Sequence, residues 1–137
     1  MATVDMTNGT GFAENDGKKQ FVIEVTLNFA TTNQTAADVL QSLNIPADTL
    51  VQDCFYEVLT AEGGTLALDI GDGDDPNGYH AAVDANAAGS LIKSAGAYAQ
   101  QTLGGRLYTA ADTIDVIPSA NADAGKVRIV AICIDLS

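Results

Sequence analysis

The sequence predicts an all-β domain: a two-sheet antiparallel β-sandwich of about eight strands, jelly-roll-like in topology. Three observations carry that expectation. Short runs alternate strictly between apolar and polar residues, the pattern of a strand with one buried face. Clusters of Gly, Asn, Asp and Pro break the chain about every eight to twelve residues, as in sandwiches. The final run, Val127-Arg128-Ile129-Val130-Ala131-Ile132-Cys133-Ile134, is apolar on both faces, which implies a central strand covered on both sides, the second cover being a loop or another subunit.

Taken in order, residues 1–18 are rich in Thr, Asn, Gly and Asp and read as an N-terminal arm, flexible or clasping a neighbour, ahead of a single sandwich domain at 19–137. Phe21, Ile23, Val25, Leu27 and Phe29 then share one strand face, with Glu24, Thr26 and Asn28 on the other. Ala36 to Ile45 fits either a short helix or a strand; the strand is preferred, leading through Pro46-Ala47-Asp48 into a hairpin with the next strand, Leu50 to Thr60. Cys54, Tyr56 and Val58 are expected inward and Asp53 and Glu57 outward. Glu62-Gly63-Gly64 is a turn into Thr65 to Ile70, which puts Leu66, Leu68 and Ile70 on one face and is expected to pair back on the preceding strand. Gly71 to about Ser90 reads as one long connection, of the kind that is usually functional or flexible. Short strands follow at Leu91 to Ala99 and Gly105 to Tyr108 around a Gly104-Gly105 turn. A strand at Thr113 to Ile117 stops at Pro118, and the last strand runs from Lys126 to Leu136.

At 137 residues the chain is one domain, large enough to bury a core without staples. Six basic against eighteen acidic residues give a net charge of -12, which argues against partners rich in phosphate: no nucleic acid and no anionic membrane. No apolar run approaches the ~20 residues that span a bilayer, and no basic region precedes an apolar run at the N-terminus, so synthesis and assembly in a cytoplasm are expected. Cys54 and Cys133 sit inside apolar strand patterns as small hydrophobes; a disulfide between them stays open.

Catalytic chemistry is sparse. The single histidine, His80, lies beside a Gly-rich loop and reads as solvent-facing, so His80→Ala is expected to leave function untouched. Nothing marks Ser90, Ser94 or Ser119 as poised nucleophiles. Arg106-Leu107-Tyr108 is too sparse for a nucleic-acid platform. The expectation is no catalytic residue and no cofactor. Asp72-Gly73-Asp74-Asp75-Pro76-Asn77-Gly78 has the spacing of the start of a calcium loop, but Val83 stands where the closing glutamate belongs. Two readings are open: an acidic turn whose side chains bond their own backbone, or a cation site with Asp72, Asp74 and Asp75 as ligands. The expectation is no metal.

The ordered segments Ala37-Asp38-Val39-Leu40-Gln41, Asn44-Ile45-Pro46-Ala47-Asp48-Thr49, Thr60-Ala61-Glu62-Gly63-Gly64-Thr65, Asp69 to Tyr79 and Tyr108-Thr109-Ala110-Ala111-Asp112-Thr113-Ile114 resemble the small virion structural proteins of tailed bacteriophages. That resemblance spans roughly residues 20 to 136. It implies a capsid decoration, or cement, protein on the outer surface of the virion, a homotrimer that binds the major capsid protein and stabilises the head. The alternative is a tail or head-fibre module that recognises a host surface or another virion component, for which Tyr79 is the only exposed aromatic candidate. On either reading the chain is no enzyme. Ile132→Asp is expected to ruin folding or assembly, because an unpaired charge in a doubly covered strand is costly.

Overall fold

The computed structural model describes residues 19–89, 91–100 and 105–137. Among them are eight strands: β1 (Lys19–Asn28), β2 (Leu40–Ile45), β3 (Thr49–Thr60), β4 (Ala67–Gly71), β5 (His80–Asp84), β6 (Arg106–Tyr108), β7 (Asp112–Pro118) and β8 (Lys126–Asp135), with one 3-10 turn at Ala97–Gln100. They form two four-stranded antiparallel sheets, in the order β1-β8-β3-β6 and β2-β7-β4-β5. Apart from the β4–β5 step, each strand passes to the opposite sheet, and the two interleaved orders are those of an eight-stranded jelly roll. The expected arm, residues 1–18, lies outside the described residues.

Alternation decides which faces meet. Phe21, Ile23, Val25 and Leu27 of β1, Val51, Cys54 and Val58 of β3, and Val127, Ile129, Ala131 and Cys133 of β8 face inward from the first sheet. Leu43 and Ile45 of β2, Leu68 and Ile70 of β4, and Ile114 and Val116 of β7 meet them from the second, joined by Leu66 just ahead of β4. β8 is the spine. It pairs residue for residue with all ten positions of β1, Lys19 to Asn28, and along its other edge with β3 from Thr49 to Thr60. Its inward row is fully buried, whereas its outward row of Arg128, Val130, Ile132 and Ile134 is only half-buried. The two faces expected from sequence are therefore present, but among the described residues only one is sealed.

Several local expectations are corrected. β2 and β3 are not a hairpin: β2 pairs with β7 and β3 with β8, so the Pro46-Ala47-Asp48 corner, with Asp48 in the left-handed region at φ 56°, carries the chain between sheets. The Glu62-Gly63-Gly64 segment likewise leads across the sandwich rather than back along β3. Glu62 there accepts the backbone N–H groups of Asp123, Ala124 and Gly125, pinning the turn before β8. The region 71–90 is no single long connection, because β5 lies within it. β5 has poor intrinsic strand propensity and a register shift against β4, with Ala82 at φ 48°. Its place is set by pairing to β4 and by burial of His80 and Val83. Leu91 to Ala99 forms no ladder strand; it contributes one bridge, Ile92 to Tyr56, and then the 3-10 turn. Gly104 is outside the described residues, and Pro118 ends β7 from within.

Cys54 and Cys133 are both buried as free thiols. Burial pushes the Cys133 thiol up to about 11 and raises that of Cys54 as well, so both stay protonated and unreactive at neutral pH. Leu68 is fully buried between the sheets. Leu68→Ala should lower unfolding stability by about 3 kcal/mol, the usual cost of deleting a core leucine, read as a lower urea midpoint with unchanged slope.

Candidate functional site

The acidic loop after β4 closes on itself around Asp72. Gly71 makes that closure possible: a Cβ there would sit 2.0 Å from the Asp75 carbonyl oxygen. Asp72 is 1% exposed and spends both oxygens inward. Oδ1 accepts the backbone N–H of Asp74 at 3.0 Å and of Asp75 at 2.9 Å, and the hydroxyl of Tyr98 at 2.7 Å. Oδ2 accepts the hydroxyl of Tyr108 at 2.8 Å and lies 3.4 Å from Nε of Arg106. Because Tyr108 gives its proton to Asp72, the 3.0 Å contact between Tyr79 and Tyr108 has Tyr79 as donor.

Arg106 covers this knot. Its guanidinium lies 4.9 Å from the Tyr98 ring centre and 5.4 Å from that of Tyr108, and it donates to Asp74 at 2.5 Å. Gly78 is required beside it, since a Cβ would come within 2.4 Å of the Tyr98 ring. Burial by itself would push the Asp72 carboxyl up; the Tyr98 hydroxyl, the Asp75 N–H, the Tyr108 hydroxyl and the Arg106 charge outweigh it and hold the group below the ordinary aspartate range. Burial and the neighbouring carboxylate raise Tyr98 and Tyr108, so both remain neutral donors.

The three candidate ligands therefore do not converge. Asp72 faces inward onto hydroxyls and amides, Asp74 reaches outward to Arg106, and Asp75 contributes its backbone carbonyl to Asp72 and Gly78. Among the described residues no group of three acidic, His or Cys side chains comes together as metal ligands. Arg106 and Tyr108, read from sequence only as a sparse basic–aromatic pair, belong to this knot. Their spacing of two residues, which puts both on one strand face, was the available signal.

His80 is not a solvent-facing loop residue. It is 3% exposed, on β5, with Nε2 2.7 Å from the Cys54 carbonyl oxygen and its ring edge-on to Tyr56 at 4.7 Å. A carbonyl only accepts, so Nε2 carries a proton and donates it; desolvation pushes the imidazole pKa below the usual value. An open cleft of about 370 Å³ lies over it, lined by Tyr56, Ala82, Asp84, Ile92 and Ala95. Ser94 donates its hydroxyl to Asp53 at 2.5 Å, an orienting contact with no imidazole between them. Ser119 donates nothing to a base; its hydroxyl oxygen accepts the N–H of Ala67. Tyr79 is 1% exposed, which removes it as a platform for a sugar.

The strands of the two sheets differ in charge. Strands of the first sheet carry Lys19, Arg106, Lys126 and Arg128 against Glu24, Asp53, Glu57 and Asp135; strands of the second carry Asp69, Asp84, Asp112 and Asp115 and no Lys or Arg.

Asp72→Asn should cost about 3 kcal/mol, because it removes the charge that Arg106 and two hydroxyls are arranged around; Tyr98→Phe should cost about 1–2 kcal/mol. The folded carboxyl titrates below its unfolded value, so its contribution is complete above roughly pH 4 and is lost as pH falls through the folded pKa. Asp72→Asn should therefore also flatten the acid limb of a melting-temperature profile. His80 works in a higher window. Its folded pKa is depressed, so stability is full above roughly pH 6.5 and declines as pH falls below it. His80→Gln, which keeps an N–H for the Cys54 carbonyl, should remove that decline below about pH 6.5, whereas His80→Ala should lower stability at every pH.

No protein-family model matches the chain, and no curated protein matches it in sequence. Solved structures do match in fold. A chain of the capsid asymmetric unit of cyanophage Pam1 superposes with a TM-score of 0.62 at 20% identity, covering 100% of both chains. A chain of the acid-stable capsid of the Helicobacter pylori bacteriophage KHP30 gives 0.60 at 15% identity, over 86% of this chain and 89% of that one. A chain of the capsid of Ralstonia phage GP4 gives 0.58 at 16% identity, over 100% and 92%. The eight-stranded sandwich is thus a fold that this chain shares with chains in the structures of three bacteriophage capsids.

Proposed function

We propose that this protein is a bacteriophage virion component that decorates the outside of the capsid, binds the major capsid protein as a homotrimer and stabilises the head. One observation carries the reading: the likeness in fold to a chain of the Pam1 capsid, which covers 100% of both chains. The site geometry supports a structural role. The densest polar cluster, around Asp72, is consumed in holding the 71–79 loop, the 3-10 turn and β6 together. His80 and Ser94 are each tied to a structural partner. Residues 1–18 serve, on this reading, as a neighbour-clasping arm.

The mechanism is mass action. A protein that binds only the assembled shell lowers the free energy of that state by the free energy of binding, summed over many copies. Rigid interfaces do this best, since little ordering is left to be done on docking. The acidic sheet also disfavours contact between copies through that sheet.

The test uses expanded heads assembled without this chain. Titrating them with the purified protein should give saturable co-sedimentation and raise the temperature at which the heads release their DNA. Absence of co-sedimentation at tens of micromolar protein would overturn the proposal.

A further inference from the structure

We infer that the outer face of the β1-β8-β3-β6 sheet is where copies of this chain meet one another. This deepens the decoration reading, on which it rests for the expectation that copies associate.

The face is apolar where a solvated sheet would be polar. Register places Val22 of β1 opposite Ile132 of β8, and Ile134 of β8 opposite Leu50 of β3, which in turn lies opposite Leu107 of β6. Phe55 stands opposite Val130. Directly opposed residues of antiparallel strands share a face, so these side chains lie together on one face, in rows that Gln20, Glu24 and Asp53 each interrupt at one strand. Val22 is 61% exposed and Leu107 37%. The polar groups on the face are already paired among themselves: Gln20 donates to Gln52 across β8 at 2.9 Å, and Arg128 bonds Glu57 with Glu24 4.0 Å away. β1 lies at the sheet edge among the described residues and runs ten residues without a bulge, with Lys19 and Glu24 as its charged side chains.

Charge selects the occupant. A chain of net charge -12 repels its own copies, so they can meet only where that charge is nearly cancelled. By register, Lys126 and Arg128 on this outer face stand against Glu24, Asp53 and Glu57, with Arg106 turned inward to Asp72, while the outer face of the opposite sheet carries Asp69, Asp84 and Asp115 and no cation. Whether two copies face each other or three converge on an axis, burying this face leaves the acidic sheets outermost. With packed sheets about 10 Å apart, two copies face to face hold those faces roughly 30 Å apart, about four Debye lengths at physiological salt. A basic partner would instead be drawn to the acidic sheet. Four strands about 4.8 Å apart and up to about 34 Å long give a projected face on the order of 500 Å². Side-chain relief brings that toward the ~800 Å² per partner of a standard stable interface.

The experiment is sedimentation equilibrium of the full chain from about 1 to 100 µM, with Val22→Lys and Asp84→Lys as variants. Val22 is exposed enough that Lys should leave far-UV circular dichroism and melting temperature unchanged. The wild type should self-associate, more tightly at 0.5 M salt than at 0.05 M; Val22→Lys should weaken association at least about tenfold, and Asp84→Lys should not weaken it. A wild type monomeric throughout, or a Val22→Lys protein that associates as tightly, overturns the inference. So does a monomeric wild type whose binding to heads is abolished by Val22→Lys, because the face then belongs to the shell. Head binding by wild type is scored separately: association without head binding sinks the decoration reading and leaves this interface standing.

Discussion

The structure depends on β8 being paired along both edges. Ten consecutive residues lock onto β1 on one side, and most of the same residues lock onto β3 on the other. That satisfies the backbone of the central strand and fixes the register of its sheet, because a one-residue slip would turn Val127, Ile129, Ala131 and Cys133 out of the core. With that row fixed, the second sheet has one apolar surface to cover. Leu43, Ile45, Leu68, Ile70, Ile114 and Val116 do so from strands that alternate in sequence with those of the first. The double winding of the jelly roll follows from burying both inner faces with short connections.

One end of the sandwich needs more than apolar contact. There the loop after β4, the turn at Ala97–Gln100 and β6 have too few apolar side chains to hold one another, and Asp72 does it with charge. A buried carboxylate is costly unless its lone pairs are filled; here two amides, two hydroxyls and a guanidinium fill them. Arrangements of this kind are also found in catalytic sites, where a carboxylate orients a base. The difference lies in what is left over: Asp72 has no free acceptor, and the tyrosines it touches are raised away from any pKa useful near neutrality.

The strands were legible where burial is decided within one strand. Phe21-Val22-Ile23-Glu24-Val25 and Leu66-Ala67-Leu68-Asp69-Ile70 announce their inner faces by alternation alone. β5 was not legible, since His-Ala-Ala-Val-Asp has little propensity of its own and owes its strand to pairing with β4 and to the burial of His80 and Val83. His80 was misplaced for the same reason: its partner, the Cys54 carbonyl, sits on the opposite sheet. The hairpins expected at Pro46-Ala47-Asp48 and Glu62-Gly63-Gly64 had turn chemistry, but a turn does not say whether the chain stays in its sheet or crosses. The Asp72 knot was half legible. The acidic turn could be read locally; Tyr98, Tyr108 and Arg106 come from distant segments and carry no mark of their destination.

The doubly apolar β8 carries more information than its position requires. A strand buried on one face needs one apolar row, and β1 keeps to that rule with Gln20, Glu24 and Thr26 outward, Val22 being its exception. β8 instead places Val130, Ile132 and Ile134 on the outside, beside Leu50 and Phe55 of β3. Exposed apolar surface of that extent costs solubility and invites aggregation, and the charge on the other sheet offsets that cost without masking the face. Acid on one sheet and near-neutrality on the other is what one interface per molecule requires: repulsion everywhere except where contact is wanted. Selectivity by charge placement works over distances near the Debye length, before any side chain touches, so the distribution of charge alone can bias the face on which the chain is met.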